Sequence, residues 1–153
     1  RFLGNRWLAE AGIGFDRNIQ LGLKLRSSFG IGGGRFLVQE NQKQWSVFAG
    51  ILGNHEQPVQ GDGKNNAEAV VGTRYHYFMY DFPKLTLGAS VQVYPSITEG
   101  GRVRLEATGS AKREIVSDFY LSISIYDSFD SREPTTGQAK NDWGPTLSIG
   151  WQF

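Results

Sequence analysis

The amino-acid sequence predicts an all-β protein: an antiparallel transmembrane β-barrel of the outer-membrane type. Three observations carry that expectation. The first is period-two alternation of apolar and polar residues along the chain, with no competing 3.6-residue pattern. The last segment is the clearest case. Trp143, Pro145, Leu147, Ile149, Trp151 and Phe153 fall on one side, and Asp142, Gly144, Thr146, Ser148, Gly150 and Gln152 on the other. Successive side chains of a strand point to opposite faces, so this segment has one apolar face with aromatic ends and one small, polar face. The second observation is composition. Gly supplies 20 of the 153 residues, nearly double the usual ~7%, and aromatics reach 13%, a pairing that suits tight turns, close-packed lumen positions and aromatic belts. The third is an alternation of short and long connections, the asymmetry of outer-membrane barrels.

Taken in order, the alternation predicts strands over residues 7–15, 19–31, 35–41, 45–53, 67–77, 85–93, 103–110, 119–126 and 143–153. In the second, Ile19, Leu21, Leu23, Leu25, Phe29 and Ile31 oppose Gln20, Gly22, Lys24, Arg26, Ser28 and Gly30. In the sixth, Leu85, Leu87, Ala89, Val91 and Val93 oppose Lys84, Thr86, Gly88, Ser90 and Gln92, and in the eighth Phe119, Leu121, Ile123 and Ile125 oppose Tyr120, Ser122, Ser124 and Tyr126. The strands over 7–15, 35–41, 45–53 and 67–77 are less tidy, and Leu37, Phe48, Leu52 and Val70 fall on the polar face among them. Short connections are expected at 16–18, 41–43, 81–83 and 113–117, and long ones at 30–34, 54–66, 96–101 and 130–141. The chain is thus a single outer-membrane domain over 1–153 with about nine strands. Nine is odd, whereas bacterial barrels carry even numbers. The expectation is therefore that one or more amino-terminal strands are missing, with residues 1–3 as a remnant, and that the chain is part of a ten- to twelve-stranded barrel.

Alternation alone also describes a soluble β-sandwich, which is apolar inside and polar outside. Two features favour the membrane. The polar faces are rich in Gly, Ser and Thr, which a crowded barrel interior requires, where a solvated sheet favours Lys and Glu. Aromatics also gather near strand ends: Trp7, Trp45, Tyr75, Tyr77, Phe78, Tyr80, Phe82, Phe119, Trp143, Trp151 and Phe153. Amphipathic rings prefer the headgroup level, and Trp7, Trp45, Tyr75, Tyr77, Trp143, Trp151 and Phe153 are the expected aromatic belt. The mean hydropathy of −0.36 does not oppose this, because only every second residue of a barrel strand faces lipid. No apolar run reaches the ~18 residues of a transmembrane helix.

Charge excludes some functions. Lys and Arg number 16 and Asp and Glu 15, a formal charge of +1, so nothing electrostatic points to nucleic acid. Without Cys there are no disulfides or thiolate metal sites. No Ser/His/Asp set, nucleotide motif or metal-ligand spacing is visible, and neither a cofactor nor a metal is expected. The glycines of 30–34 lack the following Lys-Ser/Thr and helix of a phosphate loop. His55, Glu56, Asp127 and Asp130 are weak candidates for a rim hydrolase, and Asp127, Asp130, Glu133 and Asp142 read as a solvated acidic loop. The one prominent constellation lies on the polar faces: Lys24, Arg26, Glu68, Arg74, His76, Arg102, Arg104 and Glu106. Pointing inward, these form a lumen charge cluster in which Arg–Glu pairing is required. The favoured reading is a salt-bridged filling that stiffens the barrel; the alternative is an electrostatic constriction, which would favour anions because basic members outnumber acidic ones.

Several stretches resemble a known family: residues 34–37, 49–56, 72–75, 94–97 with 101–104, and 126–131 through 141–142. They are similar to the salt-induced outer-membrane proteins, a domain-of-unknown-function group of Gram-negative bacteria. The resemblance implies a β-barrel of the bacterial outer membrane and adds no catalytic residues. Its members are longer at the amino-terminus, in keeping with the strand count. Trp151 and Phe153 match the ending read by the barrel-assembly machinery, with Ser148 where such endings carry Gly. The expected function is a non-enzymatic outer-membrane β-barrel, a narrow pore or structural envelope protein surrounded by lipid and lipopolysaccharide. A second reading is a scaffold whose long extracellular loops, 54–66 and 130–141, bind a partner protein or lipopolysaccharide.

Overall fold

A computed structural model describes residues 6–132 and 139–151. Eight antiparallel strands form one sheet in chain order: β1 (Trp7–Asn18), β2 (Leu23–Gln39), β3 (Lys43–Pro58), β4 (Lys64–Met79), β5 (Leu85–Pro95), β6 (Val103–Val116), β7 (Phe119–Asp130) and β8 (Asn141–Trp151). No helix occurs among the described residues. Every strand pairs with its sequence neighbours, as local alternation and short connections dictate.

The count is eight rather than nine because residues 30–34 are not a loop. They lie inside β2, where Gly30, Gly32 and Gly34 stand opposite Leu52, Gly50 and Phe48 of β3. Glycine usually marks a break in a strand, but here it permits close approach. A Cβ on Gly32 would lie 2.7 Å from the Ala49 carbonyl oxygen, and one on Gly50 would lie 2.5 Å from that of Ile31. The same crowding accounts for two of the apolar residues on the polar face, Phe48 and Leu52, while Leu37 falls in a bulge between Phe36 and Val38. Gly34, Phe48 and Gly72 are neighbours across β2, β3 and β4, and the Phe48 side chain covers both glycines. Leu52 covers Gly30 in the same way.

An even count places Trp7 and Trp151 at the same rim, with the connections 40–42, 80–84 and 117–118. The connections 19–22, 59–63 and 96–102 lie at the opposite rim, as do Ser131 and Lys140, which follow β7 and precede β8. The short connection expected at 16–18 therefore joins the rim of the long ones, and the strand-parity argument for missing amino-terminal strands lapses.

The sheet is strongly curled. Laid flat, β1 and β8 would lie about 34 Å apart, yet Asn18 Nδ2 donates to Asp142 Oδ2 at 2.6 Å. No ladder joins β1 to β8 among the described residues, so the sheet is curled without being closed. Register assigns the faces. The concave face carries the even-numbered residues Glu10, Ser28, Glu68, Arg74, Gln92, Glu106, Ser122 and Thr146, and the convex face the odd-numbered residues between them. Polarity is inverted relative to a soluble protein. Among the described residues the buried hydrophobics are Leu21, Leu23 and Tyr94, against eleven buried polar or charged residues. On the convex face Ile13 is 76% exposed, Ile123 53% and Ile149 70%. Leu23 departs from the expected alternation because a bulge at Lys24, between the pairs Leu23–Pro58 and Leu25–Gln57, resets it, and Leu21 departs from it because it lies in the 19–22 turn.

The aromatic residues singled out in the sequence follow the same division. Trp7, Trp45, Tyr75, Tyr77 and Trp151 lie on the convex face toward the rim of the chain ends, and Trp143 lies toward the opposite rim. Trp45 Nε1 donates to Thr73 Oγ1 at 2.8 Å, and Trp151 packs edge-on against Phe119 with centroids 5.9 Å apart. Phe153 lies outside the described residues. At the same rim the buried Glu114 carboxylate accepts the backbone N–H groups of Lys84 and Asp118, tying two connections together.

The glycine crowding is directly testable. Gly50→Ala should destabilise the protein by about 1–3 kcal/mol, the cost of overpacking, whereas Gly53→Ala, with open space around its Cβ, should leave the midpoint of urea unfolding close to that of the parent.

Candidate functional site: a buried ion-pair network

The rim that carries connections 59–63 and 96–102 also holds most of the buried charge. β6 begins there, and Arg104 points into the concave side, where its guanidinium meets the carboxylate of Glu68 on β4 across β5. Nε donates to Oε1 at 2.9 Å and Nη2 to Oε2 at 2.6 Å, a two-point fork. Glu68 is 0% exposed. Asn54 Nδ2 at 2.6 Å and Asn66 Nδ2 at 3.0 Å donate to the same carboxylate. Asn66 Oδ1 in turn accepts from Ser96 Oγ at 2.6 Å and from Thr98 Oγ1, fastening the 96–102 connection to β4.

Arg102 spans farther. Its Nη1 lies 2.9 Å from Glu56 Oε2 on β3, and its Nη2 lies 2.7 Å from Asp130 Oδ2 on β7. Glu99 approaches Nη1 at 3.3 Å. Burial works to lower the Arg102 pKa, but the hydrogen bonds it donates to Asp130 and Glu56 outweigh burial and raise it. Arg26 Nε donates to Glu56 Oε1 at 2.8 Å, which brings β2 into the network. Glu106 Oε1 lies 3.2 Å from Arg104 Nη1, and its Oε2 lies 3.0 Å from the Tyr94 hydroxyl. Tyr94 also lies beneath the Arg104 guanidinium, 4.6 Å from ring centroid to Cζ.

Five of the eight residues expected to form a lumen charge cluster meet here: Arg26, Glu68, Arg102, Arg104 and Glu106. The other three do not. Lys24 is exposed in the β2 bulge. Arg74 lies deeper along β4 and pairs loosely with Glu10 of β1, at 3.8 Å. His76 stacks with Phe78, centroids 6.0 Å apart. The structure also adds Glu56, Glu99 and Asp130, which corrects the charge balance: five carboxylates surround three buried guanidiniums. The basic excess expected of an anion-favouring constriction is absent from this network.

The sequence did contain a signal for the added residues. Extending the β7 alternation from Tyr126 by two steps places Asp130 on the polar face, opposite Arg104. Asn54 and Glu56 continue the parity of Leu52 on β3. The rim hydrolase grouping is not assembled, because His55 and Glu56 are successive strand residues on opposite faces. His55 is exposed and hydrogen-bonds Asn65 at 2.8 Å. Of the acidic loop, Asp130 is buried in the network, Asp142 accepts from Asn18, and Glu133 lies outside the described residues. Guanidiniums stay charged at any ordinary pH, and these carboxylates accept from them. What the network supplies is fixed charge and cross-links between strands β2, β3, β4, β6 and β7.

Fold and site together define a class: a curled antiparallel β-meander with apolar side chains outside and an ion-paired polar interior. The profile of the family described as "Protein of unknown function, DUF481" matches residues 1–153, and the chain belongs to that family. No curated protein and no solved structure matches it.

Glu68→Leu removes the partner of a buried guanidinium and should cost about 3–5 kcal/mol. Arg74→Gln, at a loose and half-exposed pair, should cost under about 1 kcal/mol. Denaturant unfolding of both variants checks the contrast.

Proposed function

We propose that the chain is a non-enzymatic β-barrel protein of the bacterial outer membrane with a structural role in the envelope, its interior closed at one rim by the ion-pair network. The observation that carries this reading is the inverted polarity: a convex face of exposed Ile, Leu, Val and aromatic side chains around a buried set of charges. Water is a poor solvent for such a face, and hydrocarbon a good one.

Dimensions support it. Trp7 and Phe15 on β1, Phe119 and Phe129 on β7, and Trp143 and Trp151 on β8 bound stretches nine to eleven residues long. These run about 26–33 Å along the strand, which a tilt near 40° shortens to roughly 20–25 Å, the height of an outer-membrane apolar band. Aromatics stand at both limits of the band, as headgroup anchors do. The likeness to the salt-induced outer-membrane proteins points the same way. On this reading lipid and lipopolysaccharide surround the convex face, and the carboxy-terminal strand engages the barrel-assembly machinery.

A structural role is favoured over an open pore. Arg102 and Arg104 reach from the start of β6 to β3, β4 and β7, crossing the space that a conducting path would need. No observation favours the loop-scaffold alternative over this reading.

Folded into liposomes, Ile123→Arg should cost about 2–4 kcal/mol, the penalty of a cation facing lipid. Ser122→Glu should cost far less, because Lys112 stands opposite on the concave face. Equal penalties on the two faces would contradict the assignment. The unaltered protein should show no steady conductance in planar bilayers; steady single-channel currents would restore the pore.

A further inference from the structure

The concave side holds a cavity of about 640 Å³ between the network and the rim of the chain ends, bounded at one end by Arg104 and Glu106. That is the size of a small-molecule site. Its walls differ in character. One is largely backbone, because Gly12, Gly14, Gly30 and Gly32 stand among the concave positions of β1 and β2. A Cβ on Gly12 would meet nothing within 4 Å, so the cavity is open in front of Gly12. The facing wall is apolar, formed by Phe48, Leu52 and Val70. Glu10 from β1 and Arg74 from β4 reach across between them.

This pair differs from every ion pair in the buried network. It is half-exposed and 3.8 Å long, through a single nitrogen and a single oxygen. A pair in that setting contributes little by itself. The Arg74 guanidinium packs on the Phe48 ring, 5.4 Å from the centroid, which fixes its place without using its N–H groups. Five N–H donors on Arg74 thus stand beside an acceptor-only carboxylate on Glu10, above an apolar floor. A planar fork recognises a carboxylate, and a carboxylate recognises an ammonium. We propose that the cavity binds a small zwitterion with a short apolar body: its carboxylate on Arg74, its ammonium on Glu10, and its apolar part against Phe48, Leu52 and Val70. A molecule with only one of the two charges leaves one wall group without a counter-charge and binds less well. The site lies wholly on the concave face and does not depend on what surrounds the convex one.

The test is calorimetric titration of the full chain, folded in detergent micelles, with L-leucine. N-acetyl-leucine, which lacks the ammonium, and leucinamide, which lacks the carboxylate, serve as comparisons. Leucine should bind saturably and each comparison compound about tenfold more weakly or worse, the loss of one charge-assisted contact. Glu10→Gln and Arg74→Gln should each weaken leucine by a similar factor, and the exchanged double variant Glu10→Arg with Arg74→Glu should recover binding. Gly12→Leu should fill the cavity and abolish binding while far-ultraviolet dichroism and unfolding stay unchanged. The comparison compounds decide the matter on the unaltered protein, whatever the variants do to folding. Absence of saturable binding up to about 10 mM, where affinity falls below roughly 3 kcal/mol, overturns the proposal. Equal binding of the three compounds, or leucine binding undisturbed by Gly12→Leu, does the same.

Discussion

A carboxylate with no access to solvent must be neutralised where it lies, and Glu68 is such a group. Its two oxygens accept from Arg104, Asn54 and Asn66, residues of three different strands. Arg104 stands two strands away from Glu68, and Arg102 three strands away from Glu56. On a flat sheet those separations would be about 10 and 14 Å, and curling the sheet brings together the side chains that stand off its concave face. The pairing of these charges and the curl of the sheet are therefore one constraint seen twice: the sheet bends until its polar face can satisfy itself.

The convex face follows from that bend. With the polar residues turned inward, period-two alternation leaves Ile13, Ile31, Val71, Ile123, Leu147 and Ile149 pointing out. The glycines of β2, β3 and β4 make the bend possible, since Cβ atoms at Gly32, Gly34, Gly50 and Gly72 would strike a neighbouring strand. Phe48 and Leu52 then take up the space that the glycines leave, so apolar residues on a polar face are packing elements there and not errors of pattern. The result reverses the usual arrangement of a soluble domain, in which apolar atoms fill the interior.

The interior is not uniform along its length. Near the start of β6 it is cross-linked, with buried guanidiniums bridging several strands. Beyond Glu106 it opens into a cavity where Gly12, Gly14, Gly30 and Gly32 take the place of larger side chains along β1 and β2. Fixed, paired charge thus lies toward one rim and open volume toward the other, and the ion pairs hold the strands of the first in place.

Much of this was legible in the residues themselves. Alternation from Leu85 to Val93 and from Phe119 to Ile125 assigned strands and faces correctly, because a strand's side-chain period is two whatever it packs against. The polar parity of Arg26, Glu68, Arg104 and Glu106 placed them together for the same reason. Three things were not legible. Glycine at 30–34 has the same local signature in a loop and in a crowded strand, and only the approach of β3 separates the two. The bulge at Lys24 arises from pairing with β3 and sends Lys24 outward and Leu23 inward. The choice of partners, Glu56 and Asp130 for Arg102 with Arg74 left to Glu10, depends on curvature, which no single strand encodes. The sequence by itself determined which residues share a face. Which of those residues touch was decided only by the tertiary structure, because contact across a curled sheet depends on how tightly it bends.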